Sequence, residues 1–405
     1  MLFSISWRNV WRNKLRSTIM LVSIALGITA GIFMTAFYKG MADQRIEKVN
    51  RTEISHIQIH NKEFRKNNDI NKLIPSALDI SSEIRKMYEV AGVSNRLIIY
   101  SMVASAETSA GIKISGIIPD EETKVTNLHE KIVEGTYLSA GKKNPVLISR
   151  KLAEKLKVKL GSKVVITMQD VNNNITSGAF RIIGLFDTRS TVYDEANIFV
   201  MYEDLARLMN SPPSAAHEIA IRAIGNDKVS DLFTSLSPKY KRLEVLPWTE
   251  LSPELGFLTE TMDFYMYVFV LIILLALLFG LVNIMLMVVL ERIKEIGMLM
   301  AVGMNRIRIF LMIVLETVLL TLSGGITGVI FGALISGYFV THKIDLSFWG
   351  AAYEDIGYDS YVYTSIDINL LINVTLLVLF TGIVGSLYPA YRALQNNPAE
   401  ALRIE

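Results

Sequence analysis

The chain has 405 residues, 51% hydrophobic and 20% charged, with a net charge of +2 and a mean hydropathy of +0.35. That is too apolar for an ordinary soluble protein of this size, and too close to neutral to suggest a nucleic-acid partner. With no cysteine, disulfides, thiolate metal sites, a cysteine nucleophile and a lipidated N-terminus are excluded.

Residues 1–16 place Trp7, Val10, Trp11 and Leu15 on one helical face with Arg8, Arg12 and Lys14 elsewhere. Tryptophans interleaved with basic residues read as an interfacial helix at headgroup level. Residues 17–38 then form the first uncharged stretch long enough to cross a bilayer, which takes about 20 residues. Its apolar core is too long for a cleaved signal peptide, so a retained anchor is expected. Within it Ser23, Gly27 and Gly31 recur every four residues, the spacing that lets another helix approach closely in lipid.

Residues 39–263 have soluble composition. No breaker appears before about Asn50, so the first span is expected to continue as a stalk. ISHIQIH alternates, with Ile57 and Ile59 on one side and His56, Gln58 and His60 on the other, and predicts a half-buried strand. Two histidines on one face could begin a metal site, but no third ligand is near in sequence, and no metal is expected. A helix is predicted over 78–88, strands over 96–106 and 111–118, and a turn at Pro119-Asp120. Strand, helix and strand follow through VLISRKLAEKLKVKLGSKVVITM. Strands over 180–186 and 196–201, a helix over 203–209, a strand over 218–223 and a helix over 229–236 complete the domain. Mixed strands and helices with short turns imply an α+β domain in two lobes, one of them about 90–210. No nucleophile elbow, zincin or paired-carboxylate pattern stands out, and Asp120-Glu121-Glu122 and Asp194-Glu195 read as solvated turn acids. The chain is not expected to be an enzyme.

The return to the membrane carries Phe257, Phe264, Tyr265 and Tyr267, which suit an interfacial belt. With Met34, Phe37, Met262, Met266 and Phe269, Phe257 and Tyr265 could instead line the mouth of a cavity for an apolar guest, a role to which methionine adapts well. Ordinary lipid-facing side chains are the simpler alternative. Residues 264–290 form a second span, 309–340 a third and 368–391 a fourth, the last interrupted by Asn369, Asn373 and Thr375. The third carries Gly324, Gly328, Gly332 and Ser336 at four-residue spacing, for packing within the chain or against another. It also holds an acid, Glu316, costly in lipid and expected to be paired or turned inward; a structural hydrogen-bond role and ion transport are equally open to it, though no chain of acids suggests a proton relay.

Between the second and third spans lies ERIKEIGMLMAVGMNRIRIF. Ile293, Ile296, Met300, Met304 and Ile307 form a helical stripe, and opposite it Glu291 with Lys294 and Arg292 with Glu295 sit three apart. Gly303 is a natural helix stop and Asn305 a cap for the next helix. Such a segment suits a helix that passes force to or from a soluble partner, and equally a solvated loop that turns the chain. Basic residues flank the first span at Arg8, Arg12, Lys14 and Arg16, and the second-to-third connection at Arg292, Lys294, Arg306 and Arg308. The 341–367 loop is acidic. This bias places both termini and the 291–308 segment in the cytoplasm and the large domain outside. No GxxxxGK[ST] phosphate loop occurs, so any ATP must be bound by another chain.

RIKEIGMLMAVGMNRIRI resembles the R-x-K-E-I-G-x-L-x-A-[LV]-G segment of ABC-transporter permeases of the FtsX/MacB class. YPAYRALQNNPAEALR is similar to that class's closing signature, and WRNVWRNKLRSTIMLVSIALGI to its opening. SHIQIHNKEF and VLISRKLAEKLKVKLGSKV are similar to stretches of the lipoprotein-releasing LolC/LolE permeases. The resemblance implies an α-helical membrane protein with four transmembrane helices and a large MacB-like α+β periplasmic domain inserted between helices 1 and 2. The expected order is interfacial helix 1–16, span 17–38, periplasmic domain and stalks 39–263, span 264–290, coupling helix 291–308, span 309–340, periplasmic loop 341–367, span 368–391 and cytoplasmic tail 392–405.

It further implies residence in the bacterial inner membrane, pairing with a second permease, and docking of an ATPase dimer that binds ATP and magnesium. This chain itself would hold no cofactor. The docking residues implied are Glu291, Arg292, Lys294, Glu295, Gly297, Met298, Met300 and Gly303. A lipoprotein's acyl chains would enter between the first and second spans, for release to a periplasmic carrier. An FtsX-like permease that switches a periplasmic hydrolase, or a MacB-like one that drives efflux, would share the same architecture.

Overall fold

The computed structural model describes residues 2–139, 141, 143–350, 358, 360–366 and 368–395. Most of the 392–405 tail, part of the 341–367 loop and the second half of the closing motif lie outside the described residues. The chain divides into two compact units. One comprises Met1–Asp43, Thr259–Asp345 and Tyr361–Glu405, the other Gln44–Leu258 and Leu346–Ser360.

The first unit is helical. Four of its helices, among the described residues, are long and apolar enough to cross a membrane. The N-terminal helix, Leu2–Val10, is separated from the first long helix, Lys14–Val49, by a turn. Residues 1–16 are therefore not one helix: the Ser17 hydroxyl donates to the Val10 carbonyl and closes the turn. Of the expected face, Val10 is buried in the helical core while Trp7, Trp11 and Leu15 are exposed, the two indole rings 6.0 Å apart. The first long helix runs past Tyr38 as expected and ends in a π-helical turn, Asn50–Ile54. The second long helix is Pro253–Glu291, the third Arg306–Thr341 and the fourth Ile368–Leu394.

Why the third helix carries glycine every fourth residue is clear from its packing. A Cβ at Gly324 would lie 2.9 Å from Ile24 Cβ, one at Gly328 2.8 Å from both the Ala25 carbonyl and Ile28 Cβ, and one at Gly332 2.9 Å from Ile32 Cβ. The row thus receives the isoleucine ridge of the first helix, within this chain, and the helices meet at backbone distance. Thr29 Oγ1 donates to the Gly328 carbonyl across the same seam at 3.1 Å.

The second unit is built on ten strands: β1 (Ile57–Asn61), β2 (Val90–Ala104), β3 (Ser109–Ile117), β4 (Ile132–Gly135), β5 (Pro145–Ser149), β6 (Lys163–Gln169), β7 (Ile175–Phe186), β8 (Asn197–Met201), β9 (Glu218–Ala223) and β10 (Leu243–Pro247). Their order is β10-β1-β9-β2-β3-β8-β5-β7-β4, and β6 bridges β7 back to β2, so six strands close on themselves. Among the described residues, only β3–β8 and β5–β7 are parallel. The two lobes share β2. Its first half joins β9, β1 and β10 over a core of Ile57, Ile59, Ile84, Ile219 and Leu232. Its second half joins the closed strands around Leu97, Ile114, Ile148, Ile166 and Phe180. β6 shows the period-two origin of such a strand: Val164, Ile166 and Met168 point in while Lys163, Val165, Thr167 and Gln169 point out.

Two sequence expectations are overturned here by long-range partners. β1, paired on both edges by β9 and β10, is also buried on both faces, because its polar side is itself covered. His56 Nδ1 accepts from the Ala223 amide, and His60 lies 3.0 Å from Gln58 Oε1. Nor are Glu122 and Asp194 solvated turn acids. Glu122, on the helix Pro119–Val125 that replaces the expected turn, is 1% exposed and receives Arg96, Ser94 and Thr126. Asp194, also 1% exposed, accepts from the Thr188 amide and hydroxyl.

Candidate functional site

The segment joining the second and third long helices folds into a nine-residue helix, Ile293–Ala301. Gly303 ends it at φ +99°, with its amide on the Met300 carbonyl and the Met304 amide on the Leu299 carbonyl, both 3.0 Å. This is the paired closure that a left-handed glycine permits. Asn305 Oδ1 then accepts from the Ile307 amide at 3.1 Å and starts the third helix. The break at Gly303 means that 291–308 is not one helix. Ile307 leaves the expected stripe and is 64% exposed, while Ile296 is buried and Met300 and Met304 pack against the helical core.

Of the eight docking candidates, the structure turns some outward and others inward. Lys294 and Met298 are exposed on one side, one turn apart, and Val302, a turn further, is 84% exposed. Gly297, beside them on the helix, is buried, and Met300 is half-buried. Arg292 faces inward: Nη1 lies 3.0 and 3.2 Å from the two oxygens of Glu316, and Nε 3.1 Å from Glu295 Oε2. Glu316 is thus the paired intramembrane acid the sequence called for. Glu295 also accepts from Arg12 Nη2 at 2.7 Å, and Glu291 lies 2.5 Å from Arg16 Nη2. The Arg12 hydrogen bond, backed by that of Arg292, holds the Glu295 carboxyl below the usual carboxylate range. The expected pairing of Arg292 with Glu295 is present, whereas Glu291 turns to Arg16 rather than Lys294.

Arg12 and Arg16 were legible only as topology signals. Their four-residue spacing matches that of Glu291 and Glu295 with opposite sign, which is the clue that could have paired them.

A groove of about 490 Å³ runs between the first and second long helices. Its walls come from Met20, Ser23, Gly27, Ala30 and Met34 on one side and Phe269, Ile273, Ala276, Gly280 and Ile284 on the other. Facing small residues create it: a Cβ at Gly27 would meet nothing within 4 Å. Gly27, expected at a helix seam, therefore opens onto space, while a Cβ at Gly31 would lie 3.1 Å from Ile273 Cδ1 on the second helix. Of the seven cavity candidates, Met34 and Phe269 are in the walls. Phe37 instead stacks on Phe33 at 6.4 Å, Tyr265 is exposed beside Phe264, and Met262 and Met266 are half-buried outside the groove walls. Phe257 belongs to the other unit. The large residues mark one entrance in the sequence, whereas the opening is made where side chains are small.

Residues 17–236 match the family model of the MacB-like periplasmic core domain, and 267–398 that of the FtsX-like permease C-terminal region. The chain is 25% identical over 417 residues to the lipoprotein-releasing system transmembrane protein LolC of Neisseria meningitidis, covering 97% of this chain and 96% of that protein. With LolC of Xylella fastidiosa it shares 26% identity over 302 residues, 72% of each. A shorter match, 40% over 129 residues, is to the macrolide export ATP-binding/permease protein MacB of Chlorobium luteolum, covering 31% of this chain and 16% of that protein.

Proposed function

Because this chain belongs to the FtsX/MacB family of ABC-transporter permeases, we propose that it is a non-catalytic membrane subunit driven by a partner ATPase. In this reading it extracts lipoproteins from the bacterial inner membrane and passes them to a periplasmic carrier. The observation that carries the reading is the apolar groove between the first and second long helices. Each acyl methylene leaving lipid for water costs about 0.8 kcal/mol, so extraction needs both an apolar shelter and an external energy source. The groove supplies walls of the first kind. The short helix supplies the other link: Lys294, Met298 and Val302 offer a cation and an apolar pair to a soluble partner, over a buried underside.

ATP and magnesium belong to the partner ATPase dimer, and a second permease, identical or related, completes the assembly. The positive flanks support a topology with both termini and the short helix in the cytoplasm and the large domain in the periplasm. Identity to LolC along nearly the whole chain supports lipoprotein as cargo.

The test is reconstitution in proteoliposomes with the cognate ATPase, a labelled lipoprotein and a periplasmic carrier. ATP-dependent transfer to the carrier is expected. Hydrolysis without transfer overturns the cargo reading. In that case, ATP-dependent activation of a bound hydrolase would identify a signalling permease, and transport that requires an outer-membrane channel would identify an efflux drive.

A further inference from the structure

Glu316 lies among the buried side chains Ile313, Thr317, Leu319 and Leu320, and is itself 5% exposed. A carboxylate there needs a counter-ion, and the one it has comes from another segment. Arg292 stands at the junction of the second long helix and the short helix, and its Nη1 reaches both Glu316 oxygens, at 3.0 and 3.2 Å. The same guanidinium turns Nε to Glu295, which in turn accepts from Arg12. Four groups from three segments therefore form one chain: Arg12, Glu295, Arg292, Glu316.

Side-chain exposure falls along that chain from 54% through 47% and 17% to 6%. The outer pair sits in water, where ion pairs are weak and salt-screened. The inner pair is desolvated, and opening it would strand a charge away from water. The short helix is thus fastened to the third helix at its inward end, ten residues past Arg306. The third helix in turn seats the first helix's isoleucine ridge in its glycine row.

We propose that Arg292 and Glu316 are positioning residues that form the transmission link of the permease: when the short helix is displaced, this pair obliges the third helix to follow. The inference rests on the reading of the short helix as the ATPase dock. It also gives the intramembrane acid a mechanical role.

Two measurements test the link, using full-length protein in nanodiscs. The chain has no native cysteine, so spin labels at Lys294→Cys and Leu322→Cys report the distance between short and third helices without a partner present. Glu316→Gln, and the double variant Arg292→Met with Glu316→Leu that leaves no charge unpaired, should broaden that distance distribution. The swap Arg292→Glu with Glu316→Arg, made with Glu295→Gln so that no second carboxylate faces position 292, should narrow it again. In unlabelled protein with the partner ATPase, Glu316→Gln should keep ATPase binding and turnover while cargo released per ATP falls tenfold or more. A distribution as narrow in Glu316→Gln as in the parent overturns the link, and so does unchanged release per ATP. If the parent protein releases no cargo at all, the proposed function falls, while the distance widths still decide whether the pair fastens the two helices.

Discussion

Arg96 Nη1, on β2, lies 2.6 Å from Glu218 Oε1 on the neighbouring strand β9, and both side chains are almost fully buried. The other side of the same guanidinium grips Glu122 through Nε and Nη2, at 3.0 and 2.7 Å. Burial opposes the Glu122 charge, but Arg96 and the hydroxyls of Ser94 and Thr126 outweigh it and hold that carboxyl below its usual range. Removing one partner of a buried pair typically costs about 3–5 kcal/mol, because the remaining charge is left uncompensated. Arg96→Met should therefore lower the stability of the large domain by that order. The triple variant that adds Glu122→Gln and Glu218→Gln should recover most of the loss. Urea unfolding of the detergent-solubilised protein, read by amide hydrogen exchange in β2 and β9, checks both. An unchanged exchange profile in Arg96→Met would contradict the assignment.

Two other buried groups make the domain's stability depend on pH with opposite signs. Burial pushes the Asp194 carboxyl up to about 6, against its hydrogen bonds from Thr188. Unfolded, the group titrates near 3.9, so between about 4 and 6 the folded chain binds more protons and Asp194 disfavours folding as pH rises. Burial lowers His217 to about 4. Its Nδ1 accepts from the Ile98 amide at 3.0 Å and its Nε2 faces the Ile70 carbonyl at 2.9 Å, contacts that suit the neutral ring. Its contribution is complete above about 6.5 and is lost as pH falls toward 4. In Asp194→Asn the Asp194 contribution that offsets the histidine slope is gone. Between pH 6 and 4 that variant should lose more stability than the parent, by an amount on the order of 1–3 kcal/mol. Parallel pH–stability curves for the two proteins would rule this out.

Much of the helical unit was legible because its signals are one-dimensional. Uncharged stretches, glycine every fourth residue, Gly303 as a stop and Asn305 as a cap each depend on neighbours in sequence. What was not legible depends on distant partners or on missing atoms. Glu122 looks like a turn acid until β2 brings Arg96 to it from 26 residues away. Arg12 and Arg16 look like topology signals until the fold sets them against Glu295 and Glu291. Phenylalanines and methionines in the sequence point to a different entrance, but a cavity is an absence of side chain, and Ser23, Gly27, Ala30, Ala276 and Gly280 are what open it.

The two glycine rows make contrasting predictions. Gly328→Val drives a branched side chain into Ala25 and Ile28, and overpacking of this kind costs about 1–3 kcal/mol. Its thermal midpoint in detergent should fall. Gly27→Val meets open space and should leave that midpoint unchanged while narrowing the groove. If acyl chains occupy the groove, lipoprotein release should drop in Gly27→Val despite intact stability. Normal release from a stable Gly27→Val protein would place the cargo elsewhere.

The short helix separates docking from folding by the direction each side chain faces. Lys294 and Met298 are exposed and share one side with Val302, and the ion-pair chain behind them runs through Arg12, Glu295, Arg292 and Glu316 instead. Lys294→Glu and Met298→Asp should therefore leave the melting transition within about 0.5 kcal/mol of the parent, as surface substitutions usually do. Each should weaken ATPase binding by about tenfold, equivalent to ~1.4 kcal/mol. Gly297→Leu is a different experiment, because Gly297 is buried. Lost coupling there should come with lost stability and would not identify a docking surface. Glu295→Lys also differs, since it repels both Arg12 and Arg292 and loosens the fastening from within. Affinity for the purified ATPase, measured by calorimetry in detergent alongside thermal unfolding, distinguishes the three classes. If Lys294→Glu and Met298→Asp bind the ATPase as tightly as the parent does, the exposed side of this helix is not where the partner docks.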